Sequence, residues 1–386
     1  MEVRSGFPSG RHNSGGRGIP HLRPMNVSRL GAIDLSDVKY VDPAVDSRRL
    51  DANDVLFNNT NSPALVGKTA LVGPRAAGMA FSNHMTRLRP SADILPRFLA
   101  TQLHFKWMTG AFADLITNHV NQASISGSVL AKQVRVVVPP IEEQRRLVRL
   151  IEAYLSRLDD AIGLAVTARA RINRYLDATL DEAFDREWPR VALDELNEPG
   201  RPICYGILKP KTPDPGSVPY VEVRSIVAGK INVGGLNLTT KELHDEFRRS
   251  ELRAGDVVLA IRGSYDRAAV VPSQLDGANV SRDVARIAPG DGLRSEFLSA
   301  FLVSPEARRY FGAHARGVAV QGVNIGDLRR LPVPIPHSND QDQALKVIST
   351  ASQRAERVEA DISRALQHAQ RLRRSIMARA FLGALA

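Results

Sequence analysis

Two long stretches of helical periodicity constrain everything else in this chain, because the second repeats the first at a constant offset. In the first, running from about Glu142 to Glu187, apolar or small residues recur at Leu147, Ile151, Tyr154, Leu158, Ala161, Ala165, Ala168, Ile172, Tyr175, Thr179 and Ala183. For most of its length the spacing alternates between four and three, the signature of a coiled-coil seam. Adding 197 to each position from Ile151 onward gives Ile348, Ala351, Ala355, Val358, Ile362, Ala365, Ala369, Leu372, Ile376 and Ala380, again a small or apolar series. The ends match as well: Pro139 precedes Pro336 by 197, and Ala183-Phe184 precedes Ala380-Phe381 by the same distance. Proline blocks backward extension of a helix past its first turn, so these residues mark where each run begins. Roughly 45 residues at 1.5 Å each make a rod of about 65 to 70 Å, far longer than an ordinary globular helix.

The stretches outside the rods also repeat in order. Asn53-Asp54-Val55-Leu56-Phe57 is answered by Gly255-Asp256-Val257-Val258-Leu259, each a turn feeding a strand, and Ile19-Pro20 by Val218-Pro219. A helical pattern over Arg97–Thr117 is answered by Arg294–Phe311, and Ser128–Pro140 by Asn324–Pro336. Val134 to Val138 reads as a closing β-branched strand before the first rod. Nothing before Met1 answers Trp188 to about Pro199, so the first unit is expected to lack an opening strand or to start upstream. The expected division is 1-138 for the first globular unit, 139-187 for the first helix, 188-335 for the second unit and 336-386 for the second helix. Each unit is α+β. The second helix can pair with the first along the whole seam only by running back, so the expected form is an antiparallel pair with a unit at each end, a pseudo-two-fold dumbbell.

Charge and cysteine usage narrow the function. The 386 residues carry 52 basic against 41 acidic side chains, a net charge of +11, which favours a polyanionic partner. Cys204 is the only cysteine, which excludes internal disulfides and cysteine-cluster zinc sites and fits a reducing, cytoplasmic setting. No signal-peptide core or membrane-length apolar run is present, so no membrane partner is expected. Gly67-Lys68-Thr69 superficially matches the end of a phosphate loop, but Ser62 stands at the first glycine position and Val72-Gly73-Pro74 follows where a helix must open. The histidines show no metal-ligand spacing. An adenine methyltransferase would carry an Asn/Asp-Pro-Pro-aromatic motif, yet the only Pro-Pro is Pro139-Pro140, between Val138 and Ile141. No catalytic residue and no cofactor of its own are therefore expected.

Taken together, the duplicated Gly-Asp-Val-Leu-like turn, the Asn61–Lys68 segment, Val138-Pro139-Pro140-Ile141-Glu142-Glu143-Gln144 and the C-terminal Leu372–Gly383 run resemble the specificity (S) subunit of type I restriction-modification systems. The second copy departs in one place, with Asn339-Asp340-Gln341 where the first has Glu142-Glu143-Gln144. The resemblance implies two tandem target recognition domains, each reading one half of a bipartite double-stranded DNA site. It also implies paired helices that set the spacing and dock two methyltransferase (M) subunits. S-adenosylmethionine, ATP and Mg would then be used by the methyltransferase and by restriction/translocase (R) subunits. A scaffold that assembles proteins without reading DNA is the alternative from the residues alone.

Base reading needs donors and acceptors on loops that reach groove edges. In the first unit the candidates are Asn58, Asn59, Thr60 and Asn61 at a polar tip, with Arg11, Arg17 and Lys68 on phosphates. In the second they are Arg262, Ser264, Tyr265 and Arg267 at the equivalent tip, with Arg282, Arg316, Gln321, Lys209 and Lys211 nearby in the reading order.

Overall fold

The computed structural model describes residues 1–42, 48–120, 122–209, 217–317 and 321–383. In chain order the first part holds β1 (Glu2–Ser5), β2 (Ile19–Leu22), β3 (Lys39–Val41), β4 (Val55–Asn58), β5 (Thr60–Asn61), β6 (Thr69–Leu71), β7 (Ala80–Phe81) and β8 (Met85–Arg89). After these come α1 (Pro96–Met108), β9 (Thr117–Asn118), β10 (Ala123–Ser124), α2 (Gly127–Gln133) and the long α3 (Ile141–Phe184). The second part holds β11 (Arg190–Ala192), β12 (Cys204–Tyr205), β13 (Val218–Val221), β14 (Ile226–Val227), β15 (Lys230–Ile231), β16 (Asn237–Thr239), α4 (Lys241–Glu246), β17 (Val257–Ala260) and β18 (Ala268–Val270). It continues with β19 (Asn279–Val280), β20 (Val284–Ile287), α5 (Ser295–Leu302), α6 (Pro305–His314), α7 (Ile325–Arg329), β21 (Pro332–Pro334) and the second long helix α8 (Ser338–Leu382). The chain forms two compact units, Met1–Ala165 with Arg364–Ala386, and Val166–Ser363, so each long helix contributes to both.

In the first unit a sheet of order β1-β8-β4-β6 is built on β4, whose four residues are all buried. Alternation sends Val55 and Phe57 to one face, with Leu99, Leu103, Phe112, Ile125 and Leu130, and Leu56 to the other, with Leu22, Leu50, Ala70 and Phe81. A helix covers one face and a smaller sheet, β3-β2-β7, the other, which is why a continuous apolar strand is stable there. α1 stops at Met108, short of the helical stretch expected to run on to Thr117, and Gly110 takes the left-handed φ of +74° that ends helices.

The second unit repeats this plan. Its sheet runs β12-β20-β17-β18, with Val257 and Leu259 packed against Phe297, Leu298, Phe301 and Leu302, and Val258 turned toward Ala269, Val271, Val280 and Val284. Ser304 caps α6 and Pro305 opens it, splitting the expected single helix in two. A buried glutamine fixes the start of each long helix. Gln144 accepts from Leu95 N (2.8 Å) and donates to the carbonyls of Asp93 and Pro139 (both 2.8 Å). Its counterpart Gln341 accepts from Arg294 N (2.9 Å) and donates to Gly292 O (2.7 Å) and Pro336 O (3.2 Å).

Within each unit the two long helices run antiparallel. In the first, Leu147 and Ile151 share a cluster with Met377, Ala380 and Phe381, and Arg373 pairs with Asp159. In the second, Arg169 pairs with Glu359, and Phe184 shares a core with Ala344. The seam needs correction at Tyr154, Ala161, Tyr175, Val358, Ala365 and Leu372, all of which are exposed. Leu147, Ile151, Leu158 and Ile362 are buried, and Ile172, Ile348 and Ile376 half-buried. Tyr154 (49% exposed), Val358 (44%) and Leu372 (41%) instead face outward, and Leu155, Glu359 and Arg373 take the inner side. The seven-residue repeat itself holds, with Ile151, Leu158, Ala355, Ile362 and Ala369 buried; only the intervening position changes, because the residue four rather than three after each of these takes the inner side.

The expected strand at Val134 to Val138 also differs. Its counterpart β21 pairs with β11, from Val191 opposite Val333 outward. In the first unit these residues form no strand, and the side chain of Gln102 substitutes for a neighbouring backbone, donating to Val137 O (3.1 Å) and accepting from Val137 N (3.0 Å).

Candidate nucleic-acid interface

The tips of the two units are built by the same main-chain hydrogen bonds. In the first, Asn59 N donates to His84 O (3.1 Å), Ile125 N to Asn59 O (2.8 Å) and Asn58 N to Lys68 O (2.9 Å). In the second, Ile261 N donates to Asp283 O (2.9 Å), Val323 N to Ile261 O (2.9 Å) and Ala260 N to Arg267 O (2.9 Å). Thr60 lies opposite Ser124, as Arg262 lies opposite Gly322. The structure therefore equates Thr60 with Arg262, His84 with Asp283, Ser124 with Gly322 and Lys68 with Arg267.

In the second unit this frame surrounds an open hollow lined by Val223, Arg262, Arg282, Asp283, Arg316 and Asn324. Asp283 lies beneath two guanidinium groups, 4.0 Å from Arg262 Nη1 and 3.6 Å from Arg282 Nε. Arg316 is held by a double backbone bond to Gly322, at 2.9 and 3.0 Å. A Cβ at Gly322 would sit 2.8 Å from Ile261 O, so only glycine lets these strands approach. An adjoining hollow carries Lys209, Glu222 and Arg224, with Arg224 Nε donating to Glu222 Oε2 at 2.8 Å. Three arginines over one carboxylate leave this surface cationic, with donors suited to guanine edges or phosphate oxygens.

The expected site residues divide into surface and interior groups. Arg11 and Arg17 are exposed, the latter in a loop closed by Asn13, whose amide donates to Arg17 O at 2.8 Å. Thr60 and Asn61 are half-buried on β5, Lys209, Arg262, Arg282, Arg316 and Gln321 are exposed, and Lys211 lies outside the described residues. Ser264 bonds to Asp266, and the half-buried Tyr265 packs edge-on against Phe311 at 6.2 Å, a structural role.

Three residues of the first tip require correction, because they point inward. Asn58 is 0% exposed and donates to Pro24 O (2.9 Å), and Asn59 donates to Asn83 O (3.1 Å) and Thr86 Oγ1 (2.9 Å). Lys68 gives its ammonium to the carbonyls of Pro24 and Val27, and burial, aided by Arg29, lowers its pKa. It also enters strand β6 rather than a helix, so it is no phosphate-loop lysine. Arg267 makes the equivalent contact, donating to Val223 O at 3.4 Å, although it is exposed.

Two features were not foreseen. Asp283 and Arg224 become part of the site only through folding. The hairpin of β9 and β10, joined to β5 in a three-stranded ribbon of order β5-β10-β9, presents Thr117, Asn118, His119 and Gln122 to solvent. His119 Nε2 lies 3.1 Å from Ser124 Oγ, and His119 N donates to Gln122 O at 2.7 Å, closing the turn. The polar run across Thr117–Ser124 is the only sequence signal, and it lies just beyond the stretch expected to be helical.

Among the described residues, no helix is long and apolar enough to cross a membrane and no group of side chains could hold a metal ion. No protein-family model matches the chain. The specificity subunit of the type I restriction enzyme EcoBI from Escherichia coli is 24% identical over 299 residues, covering 71% of this chain and 62% of that protein. The EcoKI specificity subunit from Escherichia coli strain K12 is 28% identical over 191 residues, covering 48% of this chain and 40% of that one. The chain thus matches 62% or less of the length of these two relatives. A solved chain from a type I restriction-modification system, studied for complex assembly and conformational transition, shares the fold with a TM-score of 0.70 over 98% of this chain and 95% of that one, at 18% identity.

Proposed function

We propose, from the premise that the curated relatives of this chain are type I restriction enzyme specificity subunits, that it is the DNA-reading subunit of such a system. Residues 1-138 and 188-335 each act as a target recognition domain for one half of a bipartite double-stranded site. Residues 139-187 and 336-386 set the spacing between half-sites and dock two methyltransferase subunits, through which a restriction/translocase subunit joins. The chain recognises and assembles; methyl transfer from S-adenosylmethionine and ATP- and Mg-dependent translocation and cleavage belong to its partners.

The observation that carries this reading is the duplicated tip: one main-chain frame, built twice, displaying different polar side chains at equivalent positions. A catalytic site repeated twice would keep its reactive groups, whereas a reader of two unlike half-sites must vary them. Phosphate contacts would position each unit, from Arg11 and Arg17 in the first and Lys209, Arg224 and Arg282 in the second, and the ribbon residues would face base edges. The test is mapping of methylated adenine in the source genome with and without this gene. Loss of a split motif with a fixed gap is the expected result, and an unchanged methylation pattern counts against the proposal.

A further inference from the structure

The two tips offer different chemistry at equivalent positions. The second unit presents guanidinium groups: Arg262 and Arg316, on either side of Gly322 with which both pair, line one hollow with Asp283. The first presents neutral groups: Thr60 stands where Arg262 does and His84 where Asp283 does, and its exposed hairpin carries Asn118 and Gln122. In the major groove, arginine pairs bidentately with guanine O6 and N7, and asparagine or glutamine with adenine N6 and N7. That groove also admits a β-ribbon, and β9 with its turn to β10 forms the outer edge of the three-stranded ribbon β5-β10-β9.

We propose which base pairs each unit selects: the second G·C pairs through Arg262 and Arg316, and the first A·T pairs through Asn118 and Gln122. Asp283 is a positioning residue. Its carboxylate lies at ion-pair distance from guanidinium groups on both sides, 4.0 Å from Arg262 and 3.6 Å from Arg282, and so biases where Arg262 points. The first unit needs no such carboxylate because its readers are neutral, and His84 supplies only its backbone carbonyl to the equivalent frame. This inference rests on the proposed DNA-reading function and adds which base pairs each half contains.

The experiment uses the full chain assembled with its methyltransferase partner, a randomised DNA library and sequencing of methylated adenines. The expected wild-type motif has a half with fixed G·C positions and a half whose fixed positions beyond the methylated pair are A·T. Arg262→Ala and Arg316→Ala should relax a G·C position by roughly tenfold or more and leave the other half intact. Asn118→Ala and Gln122→Ala should relax A·T positions in the other half only. Asp283→Asn should weaken the position read by Arg262, and Asp283→Glu should restore it, a rescue that a purely structural role would not show. A split motif without G·C in the half affected by the arginine variants overturns the inference, as does a motif that none of these variants alters. Methylation without any sequence preference in the wild type would instead overturn the DNA-reading function, and this proposal with it.

Discussion

The buried glutamine at the start of the second long helix makes a quantitative test of how that unit is held together. Gln341 is 1% exposed, and its amide bridges the chain before α5 to the first turn of α8 through bonds to Arg294 N, Gly292 O and Pro336 O. Arg294 is the N-cap residue of α5 and has no side-chain cap bond, so the glutamine occupies the place where a capping group would act. Gln341→Ala strands one N–H and two carbonyls. Each buried unsatisfied group costs about 1–3 kcal/mol, but water entering the vacated volume recovers part, so the expected loss is about 3 kcal/mol. For a unit of this size that lowers Tm by about 6–12 °C. The chain has two tryptophans, and Trp188, whose ring lies 6.0 Å from Phe297, reports on the second unit. Urea unfolding followed by Trp188 fluorescence in a Trp107→Phe background therefore reads the effect locally. Gln341→Met separates packing from hydrogen bonding, since it keeps the volume and removes the polar groups. A loss below about 1 kcal/mol for the alanine variant, or recovery of most of it by methionine, refutes the reasoning.

Other expectations follow from the same contacts. Phe381→Ala, which removes a ring packed against Phe98 and Phe105 at 5.6 and 5.5 Å, should destabilise the first unit by about 3–5 kcal/mol in denaturant unfolding. Lys68→Ala should cost about 1–3 kcal/mol by leaving the Val27 carbonyl without its donor, Pro24 O keeping that of Asn58, while the methylated motif stays the same, because the lysine ammonium faces inward. Burial holds His21 and His104 at a pKa of about 4, below the ordinary 6.5. The folded first unit thus binds fewer protons than the unfolded chain; its stability is full above pH 6.5 and falls as pH drops from 6.5 toward 4. Urea midpoints read through Trp107 at pH 7 and 4.5 should show this, with a smaller decline in His104→Gln.

Much of the architecture was legible because repetition is itself a long-range signal. The matching Asp54 and Asp256 turns, the paired Pro139 and Pro336 and the equal spacing of two helical runs disclosed two α+β units without any contact being known. Side-chain direction was less legible. A seven-residue repeat admits a second seam position three or four residues after the first, and periodicity alone does not choose between them: Tyr154 and Leu372 face outward, and Leu155 and Arg373, one residue on, take the inner side. Asn58 and Asn59 look like an exposed loop by composition, yet the Pro24 carbonyl takes the amide of the first, and the Asn83 carbonyl and the Thr86 hydroxyl take that of the second. Asp283 and His84 carry no local motif; they become equivalent only when each carbonyl accepts from the adjacent strand. The readers proposed here are thus partly tertiary, and no pattern along the chain distinguishes them from ordinary polar loops.

The main-chain frame of the tips has an evolutionary consequence. His84 with Asp283 and Thr60 with Arg262 differ in size, charge and polarity, yet the peptide groups beneath them bond alike. Stability at these positions is vested in atoms that every amino acid other than proline possesses. A lineage carrying this frame can exchange the letters it reads one codon at a time without refolding the page on which they are set.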